Sequence, residues 1–161
     1  MAMSGEEQTA ARQIRVVLVD DQPIVRKGLA LLLGMEPDLV VCGEAEGEAE
    51  AFRRISRLKP DLAVVDLELK EGNGLDLIKR TRKRCAEVKL LVLSMRHEAE
   101  FVTRALAAGA HGYVTKEEGT EELVDAIRLV MRGNFYLSRQ LAAMTKGLVS
   151  GAALRDVRRH R

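Results

Sequence analysis

The chain is 161 residues long, 47% hydrophobic and 31% charged, which suits one packed domain with a modest extension and excludes global disorder. Its net charge of +2 is too small to mark the bulk of the chain as a nucleic-acid or membrane binder, and no apolar run approaches the roughly 18 residues of a membrane span. Aromatic residues make up 3% and Trp is absent, so the core must be aliphatic; Cys42 and Cys85 lack metal-ligand spacing and read as incidental thiols of a reducing cytosol.

Residues 1–13, MAMSGEEQTAARQ, form a polar leader without a basic start or an apolar stretch. It is no signal peptide, so a cytoplasmic protein is expected. Ile14 to Val19 is an aliphatic, β-branched run stopped by Asp20-Asp21. Gln22 to Leu33 carries apolar residues at helical spacing, and Gly34 is its stop. Leu39 to Gly43 predicts a second strand, and Glu46 to Leu58 a helix closed by Pro60. Leu62 to Val65 reads as a fully buried strand that ends on the bare carboxylate of Asp66, followed by a Gly72-Asn73-Gly74 loop and a helix over Leu75 to Arg84. The pattern repeats twice more. Val88 to Leu93 ends on Ser94 and precedes a helix over Glu98 to Ala108; Ala110 to Thr115 ends at Lys116 and precedes a helix over Glu121 to Arg132.

Five strands alternating with five helices imply a parallel α/β sheet covered on both faces. In such sheets the ligand site lies beyond the carboxyl ends of the strands, where the winding direction reverses. The strand-end residues here are Asp20, Asp21, Asp66, Ser94 and Lys116. Three convergent carboxylates repel one another unless cations intervene. Lys116 offsets one charge, and an oxygen-only ligand set without His or Cys selects a hard divalent ion such as Mg²⁺. Asp66 is then a nucleophile toward a phosphoryl group, giving an acyl phosphate, with Lys116 and Ser94 on the phosphoryl oxygens.

Asp20-Asp21, Asp66, Ser94 and Lys116 at these spacings resemble a response-regulator receiver domain of two-component signalling. The stretches VLVDDQPIVRKGL, VLSMRHEAEFVTRALAAGAHGYVTK and GNFYLS resemble the NarL/FixJ subfamily, whose receivers precede a LuxR-type helix-turn-helix. The resemblance covers about Ile14 to Ser138. It implies a flavodoxin-like, doubly wound five-stranded sheet of order 2-1-3-4-5, a receiver at 14–137, and a C-terminal linker helix with a basic tail at 138–161. It also implies Asp66 as phosphoacceptor and Mg²⁺ ligand, Asp21 as a direct Mg²⁺ ligand, Asp20 acting through a metal-bound water, and the Glu68 backbone carbonyl as a further ligand. Ser94 and Tyr113 fall on the family's switch positions. Taken alone, Tyr113 reads as a strand-edge tyrosine with a wet hydroxyl. The implied partners are a sensor histidine kinase, a phosphorylation-linked second copy, and DNA only through a helix-turn-helix not present in this chain.

Lys70 stands where the family usually has Pro, so a looser loop and an added cation are expected beside the site. Glu68 and Arg96 each lie two residues past a site residue on neighbouring strand ends, and an ion pair between them over the crevice mouth is expected to hinder attacking water. The tail, ending RDVRRHR, reads first as a solvated end and second as a DNA-contacting or linker helix. The rival readings are a haloacid-dehalogenase-type phosphatase, which expects an Asp-x-Asp after the first strand, and a pseudo-receiver serving only as an interaction module.

Overall fold

The computed structural model describes residues 12–145, and in it the aliphatic runs are strands wrapped on both sides by helices. Strands β1 (Ile14–Val19), β2 (Leu39–Ala45), β3 (Leu62–Val65), β4 (Lys89–Ser94), β5 (Gly112–Thr115) and β6 (Tyr136–Leu137) alternate with helices α1 (Pro23–Gly34), α2 (Glu48–Leu58), α3 (Gly74–Arg84), α4 (Ala99–Ala108), α5 (Thr120–Met131) and α6 (Arg139–Thr145). Every strand pairing is parallel, in the order β2-β1-β3-β4-β5-β6. Successive side chains of a strand face opposite ways, which explains the unbroken aliphatic runs. Val17, Val19, Ala63, Val65, Leu90 and Val92 join one core, and Val16, Leu18, Leu62, Val64, Leu91 and Leu93 join the other. Among the described residues no helix is long and apolar enough to cross a membrane.

The fold is the flavodoxin-like sheet expected, with a correction to the strand count: among the described residues there are six strands, not five. β6 extends the sheet beyond β5 through Gly112↔Tyr136 and Tyr113↔Leu137, with the Tyr136 N–H donating to the His111 carbonyl at 2.9 Å. A two-residue strand has no periodicity to read. A Cβ at Gly112 would stand 3.0 Å from the Tyr136 Cβ, so the glycine is what admits the close approach. β2 also runs two residues further than expected, to Ala45. A register shift between Val16 and Val17 skips Cys42 and places Glu44 opposite Leu18. A short helix, Arg139–Thr145, follows β6 in the segment expected to be a linker, and the basic residues Arg155, Arg158, Arg159 and Arg161 lie outside the described residues.

Two polar ties hold the layers. The Arg128 guanidinium on α5 grips Asp38 at two points (2.9 Å each) and Glu36 at 2.7 Å, pinning the turn between α1 and β2. At the start of β5, Nδ1 of His111 accepts the Leu90 N–H at 3.0 Å. Burial, reinforced by the nearby charges of Lys89 and Arg82, lowers the His111 pKa to about 4. The unfolded chain therefore takes up this proton near pH 6.5 while the folded chain refuses it until about pH 4, so stability falls as pH drops through that window. His111→Asn keeps an acceptor for Leu90 but cannot titrate. Urea midpoints between pH 4 and 7 are expected to be less pH-dependent in this variant, by a fraction of the roughly 1.4 kcal/mol per pH unit that one fully sequestered proton gives, since the ring is partly wet.

Candidate functional site

The carboxyl ends of β1, β3, β4 and β5 open on one crevice. The Asp66 N–H donates to the Val19 carbonyl and the Asp20 N–H to the Ala45 carbonyl, each at 3.0 Å, so both acids continue the ladder one residue past their strands. Carboxylate oxygens of Asp20, Asp21 and Asp66 lie within 4.8 Å of one another. Between two of them sits the Lys116 ammonium, 2.8 Å from Asp20 Oδ2 and 2.8 Å from Asp66 Oδ2. Asp20 and Asp66 are buried and Asp21 is half-buried. Burial raises the Asp66 pKa, and Lys116 only partly opposes it. Burial would lower the Lys116 pKa, but hydrogen bonds to the two carboxylates outweigh it and leave the ammonium more basic than an ordinary lysine. This donor set suits a hard divalent cation, which would meet three carboxylates that a single ammonium leaves under-neutralised.

Local structure aims each group. Lys116 opens a 3₁₀ turn, Lys116–Glu118, set by a capping box in which Glu118 Oε1 accepts the Thr115 N–H (2.8 Å) and hydroxyl (3.0 Å). Asp66 is backed by Gly74, where a Cβ would stand 2.3 Å from the Asp66 carbonyl oxygen. Only glycine lets α3 begin so close to the strand end. Asn73 caps that helix, accepting the Asp76 N–H at 2.8 Å. The loop carrying Lys70 is tied rather than loose. Glu68 and Asn73 form an isolated antiparallel bridge, and Glu71 caps α2 by accepting the Glu48 N–H on its carbonyl (2.9 Å) and the Ala49 N–H on its carboxylate (3.3 Å). Lys70 itself is exposed.

On the β4 side, Ser94 is fully buried and its Oγ accepts the Arg96 N–H at 3.1 Å. The expected ion pair is present: Arg96 Nη2 lies 3.2 Å from Glu68 Oε2, with the guanidinium 5.1 Å from the centre of the Phe101 ring. The Glu68 N–H donates to Asp66 Oδ1 at 3.2 Å. Tyr113 departs from the reading of its residue type. It is fully buried, its hydroxyl donates to the Arg96 carbonyl at 2.6 Å, and burial pushes its pKa up to about 12. The reason is β6, which turns β5 into an interior strand and lays Leu137 and Leu141 in the same apolar cluster as Tyr113.

Two residues not anticipated from sequence also reach the site. Arg26 on α1 pairs with Glu44 on β2 at 2.9 Å, and its Nη1 donates to the Asp20 carbonyl at 2.6 Å. The available signal was an arginine in the first turn of the helix that follows Asp20-Asp21, but its partner became a strand residue only through the bulge in β2.

The profile of the response regulator receiver domain matches residues 16–128. The chain belongs to that family. Receivers are signalling modules rather than turnover enzymes, and this one is similar to regulators of the NarL/LuxR type. It is 39% identical over 140 residues to the DNA-binding transcriptional activator DevR/DosR of Mycobacterium tuberculosis, a match covering 87% of this chain and 64% of that protein. It is 33% identical over 126 residues to the nitrate/nitrite response regulator NarL of Escherichia coli, covering 78% of this chain and 58% of that protein. The chain thus spans less than two thirds of either relative. Among solved structures, a two-component response regulator of the LuxR family from Aurantimonas sp. SI85-9A1 superposes with a TM-score of 0.81 at 34% identity, covering 84% of this chain and 97% of that chain. The signal receiver domain of a NarL response regulator from Mycobacterium tuberculosis gives 0.73 at 29% identity, covering 76% of this chain and 99% of that chain.

Proposed function

We propose that this receiver is a phosphorylation-dependent switch that accepts a phosphoryl group on Asp66 from a sensor histidine kinase and, in the whole protein, controls transcription. The observation that carries the reading is the convergent trio Asp20, Asp21 and Asp66, two of them buried, with the Lys116 ammonium bridging those two. A carboxylate oxygen of Asp66 attacks phosphorus as the donor's imidazole nitrogen leaves with the bonding electron pair. Asp21 and Asp66, with Asp20 through a water and the Glu68 backbone carbonyl, would hold Mg²⁺, which would supply positive charge to the carboxylates and the phosphoryl oxygens. Lys116 and the Ser94 hydroxyl bind the phosphoryl oxygens. The receiver occupies 14–137, with 138–161 as linker helix and tail.

The output is a shift at Ser94 and Tyr113. A charge-assisted hydrogen bond from Ser94 is worth about 1.5–3 kcal/mol, whereas inverting a two-state equilibrium from 1:99 to 99:1 needs about 5.5 kcal/mol. Ser94 alone cannot throw the switch, and movement of Lys116 or docking of a partner, a second copy included, supplies the remainder. The test is incubation with a small phosphodonor and Mg²⁺, read by intact mass. One phosphoryl group per chain, gained in a self-limited reaction, is expected; continuous turnover of the donor without a labelled protein would favour a phosphatase.

The Glu68–Arg96 pair bears on lifetime. Both side chains are exposed, so the pair adds little to stability, yet it ties the β4 end to Glu68, whose N–H donates to Asp66 Oδ1, where it would hinder attacking water. Arg96→Ala is expected to shorten the half-time of the phosphorylated receiver several-fold while leaving the melting temperature nearly unchanged; an unaltered half-time removes the pair from this role.

A further inference from the structure

Asp20 is held at four points. Its N–H donates to the Ala45 carbonyl (3.0 Å), its Oδ1 accepts the Gln22 N–H (2.9 Å), its Oδ2 lies 2.8 Å from the Lys116 ammonium, and its carbonyl accepts from Nη1 of Arg26 at 2.6 Å. The last contact brings a second buried cation close to the acidic cluster. Arg26 is 9% exposed and is aimed by Glu44, whose Oε1 accepts from its Nε at 2.9 Å. A guanidinium is planar and permanently charged, so contacts from two of its nitrogens leave it little freedom to swing. The Asp20 carbonyl and the Asp21 N–H belong to one planar peptide. Fixing that oxygen fixes the plane from which the Asp21 side chain departs.

We propose that Arg26, aimed by Glu44, is a positioning residue for the acidic cluster, setting the Asp20–Asp21 peptide so that the Asp21 carboxylate faces a bound divalent cation. The inference rests on the receiver reading of the site and adds to it a support on α1 and β2, outside the strand-end residues. Charge and geometry pull in opposite directions here. As a cation, Arg26 weakens the attraction of the cluster for Mg²⁺, so removing its charge alone would tighten binding. As a clamp on the peptide, its removal loosens Asp21 and weakens binding. The sign of the change separates the two.

The test is a titration of the ¹⁵N-labelled full chain with MgCl₂, following the amide shifts of Asp21 and Asp66, with thermal melts in parallel. Arg26→Met and Arg26→Lys are expected to weaken Mg²⁺ binding roughly tenfold, the low end of the cost of losing a group that orients a metal ligand, while Glu44→Gln, which keeps an acceptor for Nε, stays within about twofold. The lysine variant fails because one ammonium cannot span both acceptors, and it serves in place of Arg26→Met if the latter does not fold. A merely structural role would lower the melting temperature and spare the affinity of the folded protein. Binding by Arg26→Met as tight as or tighter than wild type overturns the proposal, and so does wild-type affinity in Arg26→Lys. Absence of any site-selective shift in the unmutated chain overturns the receiver reading itself, and the proposal with it.

Discussion

Asp66→Asn is expected to abolish covalent labelling by a small phosphodonor while leaving the fold intact or firmer. Asparagine keeps the shape but offers one acceptor where Asp66 uses two, Oδ2 for the Lys116 ammonium and Oδ1 for the Glu68 N–H, and it has no nucleophilic carboxylate. Burial raises the Asp66 pKa, so the ionised form is the one the folded protein resists. A carboxyl raised in this way favours folding while protonated, and that contribution is lost as pH rises through its folded pKa. At neutral pH without Mg²⁺ the variant is therefore expected to melt at or above the wild type. With Mg²⁺ the order reverses, because an ion bound only by the folded wild type stabilises it by about 2.7 kcal/mol at a hundredfold excess over its dissociation constant. Intact mass and paired melts check both parts. Equal phosphorylation of variant and wild type would remove Asp66 from its assigned role.

Lys116→Met should have the largest effect on stability. The ammonium is 2.8 Å from each of two carboxylates, and these side chains are about nine-tenths buried. Removing one partner of a buried ionic set commonly costs about 3–5 kcal/mol, because the remaining charges are left uncompensated. At neutral pH the wild-type lysine is fully charged, since its pKa is raised rather than lowered, so the whole contribution is at stake. The loss should be greatest in Mg²⁺-free buffer and shrink as the ion is added, which urea midpoints with and without MgCl₂ would show. The initial rate of labelling should fall by about two orders of magnitude, the usual consequence of removing one preorganised electrostatic partner of the reacting oxygens. A variant as stable as wild type without Mg²⁺ would mean that Lys116 compensates neither acid.

The site residues were legible because a parallel sheet gathers the carboxyl ends of its strands at one edge, so the residue after each aliphatic run has a known neighbourhood. Asp66, Ser94 and Lys116 needed only the runs that precede them. The Glu68–Arg96 contact came from the same geometry, two residues further on. Tyr113 did not, because its surroundings depend on β6, and two residues carry no alternation. Nor did the Arg26–Glu44 pair, because the bulge that brings Glu44 opposite Leu18 has no signature in residue type. Residue patterning reaches as far as regular elements extend; single insertions and two-residue pairings are decided by packing.

The same short strand constrains how motion can leave the crevice. Since the Tyr113 ring, Leu137 and Leu141 fill one cluster, the ring cannot rotate outward without opening a void beneath the residues that come after α5. Leu137 and Leu141 are meshed with the tyrosine like adjoining cogs, and displacement of one must be answered by the others.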